Sequence, residues 1–172
     1  MEVVCLSLPS SSKPDPLILR NGNTDSLSGV VVGMEISEAL GFAAEHRNGV
    51  LATQKRDGRP QLSNITYAVV DGVIKISITA GRAKYINLNR NPKASLHVTR
   101  DDFWAYVVID GDAEMSEIAT KPDDSGIEKL VEYYRTLAGE HPDWDDYRKV
   151  MVADQRVMVR LRPTHVYGML NR

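Results

Sequence analysis

The chain has 172 residues, an apolar fraction of 42%, a formal net charge of −2 and a single cysteine, Cys5. The length suits one domain with a sizeable core, the charge gives no global pull toward nucleic acid or an anionic membrane, and one thiol excludes an internal disulfide and favours a reducing compartment. No stretch approaches the roughly 20 apolar residues of a bilayer span, and the apolar patch at the start is short for a signal-peptide core and has no basic residue before it, so the expectation is a cytoplasmic protein.

Residues 1–33 carry three of the eight prolines, the serine run Ser10–Ser12 and the polar stretch Asn21–Ser28. No helical or strand period persists there, which reads as a disordered leader. The alternative is a natural start at Met34. Glu35–His46 follows with Ile36, Leu40 and Ala43 or Ala44 at helical spacing. Acidic Glu35 and Glu38 suit the positive end of that helix, and Asn48-Gly49 stops it.

Three strands are expected next: Gly49–Lys55, Gln61–Val70 and Val73–Thr79. The turns Asp57-Gly58 and Asp71-Gly72 separate them, which implies an antiparallel meander. Ile74, Ile76 and Ile78 alternate with Lys75, Ser77 and Thr79, so the third strand has one apolar and one polar face. After Gly81 a short helix spans Ala83–Arg90 and ends at Asn91-Pro92. Strands over Lys93–Thr99 and Phe103–Met115 follow, the second with a bulge near Gly111. Helices over Ser125–Ala138 and Trp144–Ala153 precede closing strands at Arg156–Leu161 and His165–Leu170. Six or seven short strands with about four helices make an α+β, mainly β domain: a small barrel with flanking helices.

Two segments carry candidate chemistry. In Arg59-Pro60-Gln61-Leu62-Ser63-Asn64, consecutive polar residues point to opposite faces of a strand, so one of them needs a partner or a ligand. A satisfied edge strand reads equally well. In Ser77-Ile78-Thr79-Ala80-Gly81-Arg82-Ala83-Lys84, a hydroxyl-bearing strand end meets a glycine turn and two cations where a helix starts. Free helix-start amides with Arg82 and Lys84 form an anion site, against the plainer reading of an exposed basic loop. If the strands pair as a meander, Arg59 adds a third cation.

Phe103, Trp104 and Tyr106 either stack on a planar ring or belong to core or dimer contact. Asp143, Asp145 and Asp146 cap a helix more simply than they build a metal shell, since no histidine is spaced to complete one. His46, His97, His141 and His165 are scattered and accompany no nucleophile motif, and neither G-x-G-x-x-G nor a P-loop is present. Hydrolysis and kinase chemistry are unsupported. A phosphate site without acid–base apparatus fits a redox cofactor that carries the reaction itself.

Gly49-Val50-Leu51-Ala52-Thr53, Asp57-Gly58-Arg59-Pro60-Gln61-Leu62-Ser63-Asn64 and Arg82-Ala83-Lys84 with Asn87-Leu88 together resemble the pyridoxamine-phosphate-oxidase-like split-barrel superfamily. Within it, they resemble above all the F420-dependent oxidoreductases of the B type, in particular the mycobacterial ones. Gly139–Arg148 and His165–Gly168 extend the resemblance, which covers residues 35–170. It implies a split β-barrel homodimer with two cofactor sites at the dimer interface, coenzyme F420 as cofactor with FMN as the alternative, and hydride transfer to an electron-poor acceptor: an enone, a quinone, or a tetrapyrrole such as biliverdin. By position it implies that Arg59, Gln61, Leu62, Ser63 and Asn64 contact the deazaflavin or its tail, that Ser77, Ile78 and Thr79 line the ring and ribityl chain, and that Arg82 and Lys84 hold the phosphate. Arg56 and Arg59 are the candidates for the oligoglutamate tail. The other functional readings are an FMN-dependent oxidoreductase of pyridoxamine-phosphate-oxidase type and a non-catalytic coenzyme carrier.

Overall fold

The computed structural model describes residues 33–170, so Cys5 and the leader expected before Met34 lie outside them, apart from Gly33. The elements are α1 (Ile36–Ala44), β1 (Asn48–Gln54), β2 (Pro60–Thr66), β3 (Ala68–Val70), β4 (Val73–Thr79), α2 (Ala83–Arg90), β5 (Lys93–Thr99), β6 (Tyr106–Met115), α3 (Ser125–Ala138), α4 (Trp144–Ala153) and β7 (Arg156–Met169). The seven strands form one antiparallel sheet in the order β2-β1-β5-β6-β7-β4-β3. It curls into a half-barrel of the split-barrel type, and the curl brings β2 against β4.

Both expected hairpins form. Asp71 and Gly72 sit at φ 51° and 74°, the paired left-handed geometry of a tight hairpin turn. The expected continuous strand over Gln61–Val70 does not form. It breaks at Tyr67, and its halves lie on opposite edges of the sheet, β2 on β1 and β3 on β4. Tyr67 is the corner. It is almost fully buried, its N–H donates to the Arg47 carbonyl at 3.0 Å, and its hydroxyl donates to the Ala43 carbonyl at 2.9 Å. With its amide spent on Arg47, Tyr67 pairs with neither neighbouring strand. The two hairpins therefore do not continue one another as a meander; the rest of the sheet lies between them.

The barrel interior is the main core. Ile74, Ile76 and Ile78 meet Leu51, Leu96, Val98, Val107 and Ile109 there, and each such side chain contributes about 1.5–3 kcal/mol by leaving water. The helix α1 closes the interior with Ala39 and the expected Ala43, and the expected Leu40 packs against the same core, half-buried. Ile36, at the start of the helix, is exposed. Leu88 of α2 packs into the same interior.

A second cluster lies outside the barrel, where α3 and α4 cover β3, β4 and the start of β7. Ile127, Leu130, Tyr147 and Met151 pack there on Ala68 and Met158. Both helices match their expected spans. Asp143 caps α4 by accepting from the Asp146 N–H at 2.9 Å, and the Tyr147 hydroxyl donates to the Leu130 carbonyl at 3.1 Å.

Two further differences from the sequence reading have local causes. The strand expected from Phe103 begins at Tyr106. Asp102, held by Arg100, accepts the Trp104 N–H at 2.9 Å, and Phe103 adopts φ 64°, so the aromatic pair forms a turn. The two closing strands are one, β7, because the gap expected between Leu161 and His165 is a bulge. The register shifts at Asp110/Gly111, and Pro163 pairs opposite Gly111, a position that tolerates a residue without an N–H.

Candidate active site

Ser77 and Thr79 face out of the barrel, opposite the buried isoleucines. Register sets Thr79 beside Arg156 and Ser77 beside Met158 on β7. The helices α3 and α4 stand over this face, the end of β2 flanks it, and the start of α2 closes it below. The result is a cleft of about 550 Å³. Its polar floor carries Ser77, Thr79, Arg82, Lys84 and Arg156; Tyr133, Tyr134, Tyr147 and Met151 form its helical wall, and Asn64–Thr66 its rim.

The helix α2 starts at Ala83 because Gly81, at φ 79°, turns the chain out of β4. Arg82 occupies the N-cap without a side-chain capping bond, so the first-turn amides remain for an external acceptor. Among the described residues, neither Arg82 nor Lys84 has a carboxylate partner within 4.0 Å. Burial first, then the charges of Arg82 and Arg156, hold the Lys84 ammonium below its usual 10.5. The floor is a set of converging cations short of anions. Its donor types, two guanidiniums, an ammonium, open amides and two hydroxyls, fit a phosphate with a polyol chain.

The wall is apolar in function despite its phenols. The Tyr133 hydroxyl donates to the Thr66 carbonyl at 2.8 Å, and burial pushes it up to about 12. Burial also raises Tyr147. Both stay neutral across the physiological range and present ring faces rather than acid–base groups. Tyr134 joins Tyr147, His141 and Trp144 in an edge-to-face cluster with centroids 5.1–5.7 Å apart, which stiffens the wall.

Across the rim the cleft continues. A second depression of about 560 Å³ shares Asn64, Ile65 and Thr66 and adds His46, Arg47, Asn48, Thr99 and Asp101. Arg47 ties it to α3 by donating to the Leu137 carbonyl. Together the two depressions make a groove that passes over the end of β2. A further cleft near the β6–β7 bulge has polar groups that answer one another: the Ser95 hydroxyl donates to Asp110 at 2.5 Å, Thr164 to the Asp110 carbonyl, and Lys93 faces Asp112 at 3.9 Å.

The cleft thus gathers Asn64, Ser77, Ile78, Thr79, Arg82 and Lys84 from the sequence-derived candidates. Arg59, Gln61, Leu62 and Ser63 do not line it. Arg59 sits in the β1–β2 turn, five residues or about 16 Å of extended strand from Asn64, and donates to Asp57 through Nε at 2.9 Å. With the meander absent, the third cation of the cleft is Arg156, not Arg59. Gln61 turns inward: its Oε1 accepts from Thr53 at 3.0 Å, and its Nε2 donates to the Ser63 hydroxyl and the Leu62 carbonyl at 2.7 Å. Leu62 points out of the barrel, 62% exposed. Arg156 and the tyrosine wall escaped the sequence reading because their positions depend on strand register and helix docking. The one local signal was a cation just before the apolar run Val157–Val159.

Phe103 and Trp104, 77% and 67% exposed, lie in the β5–β6 turn and belong to neither core. Among the described residues no group of three or more His, Cys, Asp or Glu side chains is placed to hold a metal, and no helix is long and apolar enough to cross a membrane.

The architecture recurs in solved structures. A conserved hypothetical protein from Mycobacterium tuberculosis is 27% identical, with 84% of this chain and 89% of that one covered and a TM-score of 0.63. A FAD-binding protein from Mesorhizobium loti is 23% identical over 78% and 92%, with a TM-score of 0.56. An F420 reductase is 29% identical over 70% and 88%, with a TM-score of 0.49. The family model described as pyridoxamine 5'-phosphate oxidase matches residues 36–170. Spanning most of the chain and the whole of the curled sheet with its cleft, that match makes this protein a member of the pyridoxamine 5'-phosphate oxidase family.

Proposed function

We propose that this protein is an F420-dependent oxidoreductase that delivers a hydride from the reduced deazaflavin to an electron-poor organic acceptor, an enone, a quinone or a tetrapyrrole such as biliverdin. The observation that carries the reading is the pair Arg82 and Lys84, without carboxylate partners at the uncapped start of α2 beside the hydroxyl face of β4. The choice of coenzyme within the family rests on the sequence motifs Gly49–Thr53, Asp57–Asn64 and Arg82–Lys84.

Arg82, Lys84 and the first-turn amides of α2 hold the phosphate. Ser77 and Thr79 offer hydroxyls to the polyol chain, the backbone of Ile78 and the Asn64 side chain border the ring, and the tyrosine wall excludes water from one flank. Arg59, with Arg56 beside it, meets the carboxylates of the tail from the β1–β2 turn, where Arg59 exchanges its present partner Asp57 for the ligand; Gln61, Leu62 and Ser63 contribute along β2. The bound coenzyme supplies the hydride, so the chain needs no nucleophile of its own.

The protein acts as a homodimer in the cytoplasm. The outer face of β1, β2, β5, β6 and the end of β7 supports this, since Leu62, Tyr167 and Met169 are 62%, 49% and 45% exposed there and belong to neither core cluster. A second copy against this face buries them and places its own groups beside the groove.

The family match favours one alternative, an FMN-dependent oxidase that uses the same phosphate floor. A fluorescence titration of the purified protein with coenzyme F420 and FMN in parallel decides between them. Micromolar F420 binding with weak FMN binding supports the proposal, and the reverse order transfers the protein to the FMN enzymes. Binding without turnover across a broad panel of acceptors makes it a coenzyme carrier.

A further inference from the structure

Arg156 opens β7, away in sequence from the α2 start that carries Arg82 and Lys84. Its register with Thr79 brings the side chain out on the face that Tyr133 and Tyr147 overhang, in the same cleft as Arg82 and Lys84. Its Nε is buried and has no hydrogen-bond acceptor. The Asp154 carboxylate stands 3.7 Å away, beyond hydrogen-bonding distance, and is half exposed. Two costs coincide here: a buried Nε that makes no hydrogen bond, its ion pair with Asp154 being long, and a like-charge cluster that, with burial, holds Lys84 below its ordinary value. A cation serving only stability would sit against a carboxylate, as Arg162 does against Glu114 at 2.8 Å.

We infer that Arg156 is the third ligand-binding cation of the cleft, its Nε donating to an oxygen of the bound anion, and that the site selects ligands carrying at least two negative charges at that end. Three cations against the single carboxylate of Asp154 leave two positive charges to be matched. A phosphate monoester meets this, as does a phosphodiester with a carboxylate next to it; a neutral or singly charged head does not. The inference rests on the anion-site reading above but not on the identity of the coenzyme.

The test uses the full chain with Arg156→Met and Arg156→Lys, and with Lys84→Ala as reference. Coenzyme affinity is measured by titration, and thermal melts are run with and without inorganic phosphate at constant ionic strength. The expectation is a tenfold or greater loss of coenzyme affinity in Arg156→Met, partly restored in Arg156→Lys. The stabilisation that phosphate gives the wild type shrinks in Arg156→Met. The ligand-free melting temperature of Arg156→Met does not fall, because the orphaned donor and the repulsion leave together. Unchanged affinity with unchanged phosphate stabilisation overturns the inference. So does a lower ligand-free melting temperature, which makes Arg156 a structural residue. If Lys84→Ala abolishes coenzyme binding and Arg156→Met does not, the coenzyme reading stands and this one fails. If the wild type binds neither coenzyme yet phosphate stabilises it through Arg156, the coenzyme reading fails and this one stands. A wild type that responds to no anion sinks both.

Discussion

Removing one hydroxyl from the base of α2 tests how the fold holds its anion site. Thr53 is buried on β1, and Asn87, on α2, is buried beside it. Asn87 Nδ2 donates to Thr53 Oγ1 at 3.1 Å, and that hydroxyl donates onward to Gln61 Oε1 at 3.0 Å. The chain of bonds fixes α2, and so the start that carries Arg82 and Lys84, to β1 and β2. Thr53→Val keeps the shape and removes the relay. Asn87 Nδ2 then has no acceptor in a dry site, at a cost of about 1–3 kcal/mol, while Gln61, half-buried, recovers part of its loss from water. A net loss of about 2 kcal/mol follows, or roughly 4–8 °C in melting temperature for a domain of this size. Urea titration and thermal melts measure it. The companion Asn87→Leu removes the stranded donor, so Thr53→Val/Asn87→Leu should lose less than the sum of the single variants. A Thr53→Val loss below about 0.5 kcal/mol, or strict additivity in the double variant, would refute the relay.

Lys84→Ala should weaken coenzyme binding about tenfold or more through loss of a charge-assisted contact, and an unchanged titration would remove Lys84 from the site. In the wild type, affinity should fall as pH rises through the Lys84 value, which lies below 10.5. The ligand-free protein should meanwhile gain stability as pH rises from that value to 10.5, since a lowered folded-state pKa means the charged form is the penalised one. An affinity that is flat up to pH 10.5 contradicts this. Gly168→Ala places a methyl on the Tyr106 carbonyl oxygen where β7 crosses β6, so it should cost about 3 kcal/mol by denaturant titration; near-wild-type stability would mean the two strands pair less closely. Tyr167→Lys, exposed on the uncovered sheet face, should convert a dimer to a monomer in sedimentation while leaving the circular dichroism unchanged, and a persisting dimer would place the interface elsewhere.

Much of this protein is legible residue by residue. The alternation in Val73–Thr79, the spans of α2, α3 and α4, the Asp-Gly hairpins and the bulge at Gly111 follow from periodicity and turn chemistry, which act over a few residues. The same locality exposes Arg82 and Lys84 as a pair at a helix start. What the sequence could not settle was decided by contacts between distant segments. Tyr67 reads as one more residue of a strand, yet its bonds to Ala43 and Arg47 send β2 and β3 to opposite edges of the sheet. That break removes Arg59 from the cleft, while the pairing of Gln61 opposite Thr53 turns its amide inward. Arg156 reaches the cations of α2 only through the β4–β7 register, and the tyrosines reach them only through the docking of α3 and α4 outside the barrel. Local sequence determines which residues can be strand, turn or helix start; the closing of the barrel determines which of them share a cleft, because burial and register are properties of the whole chain.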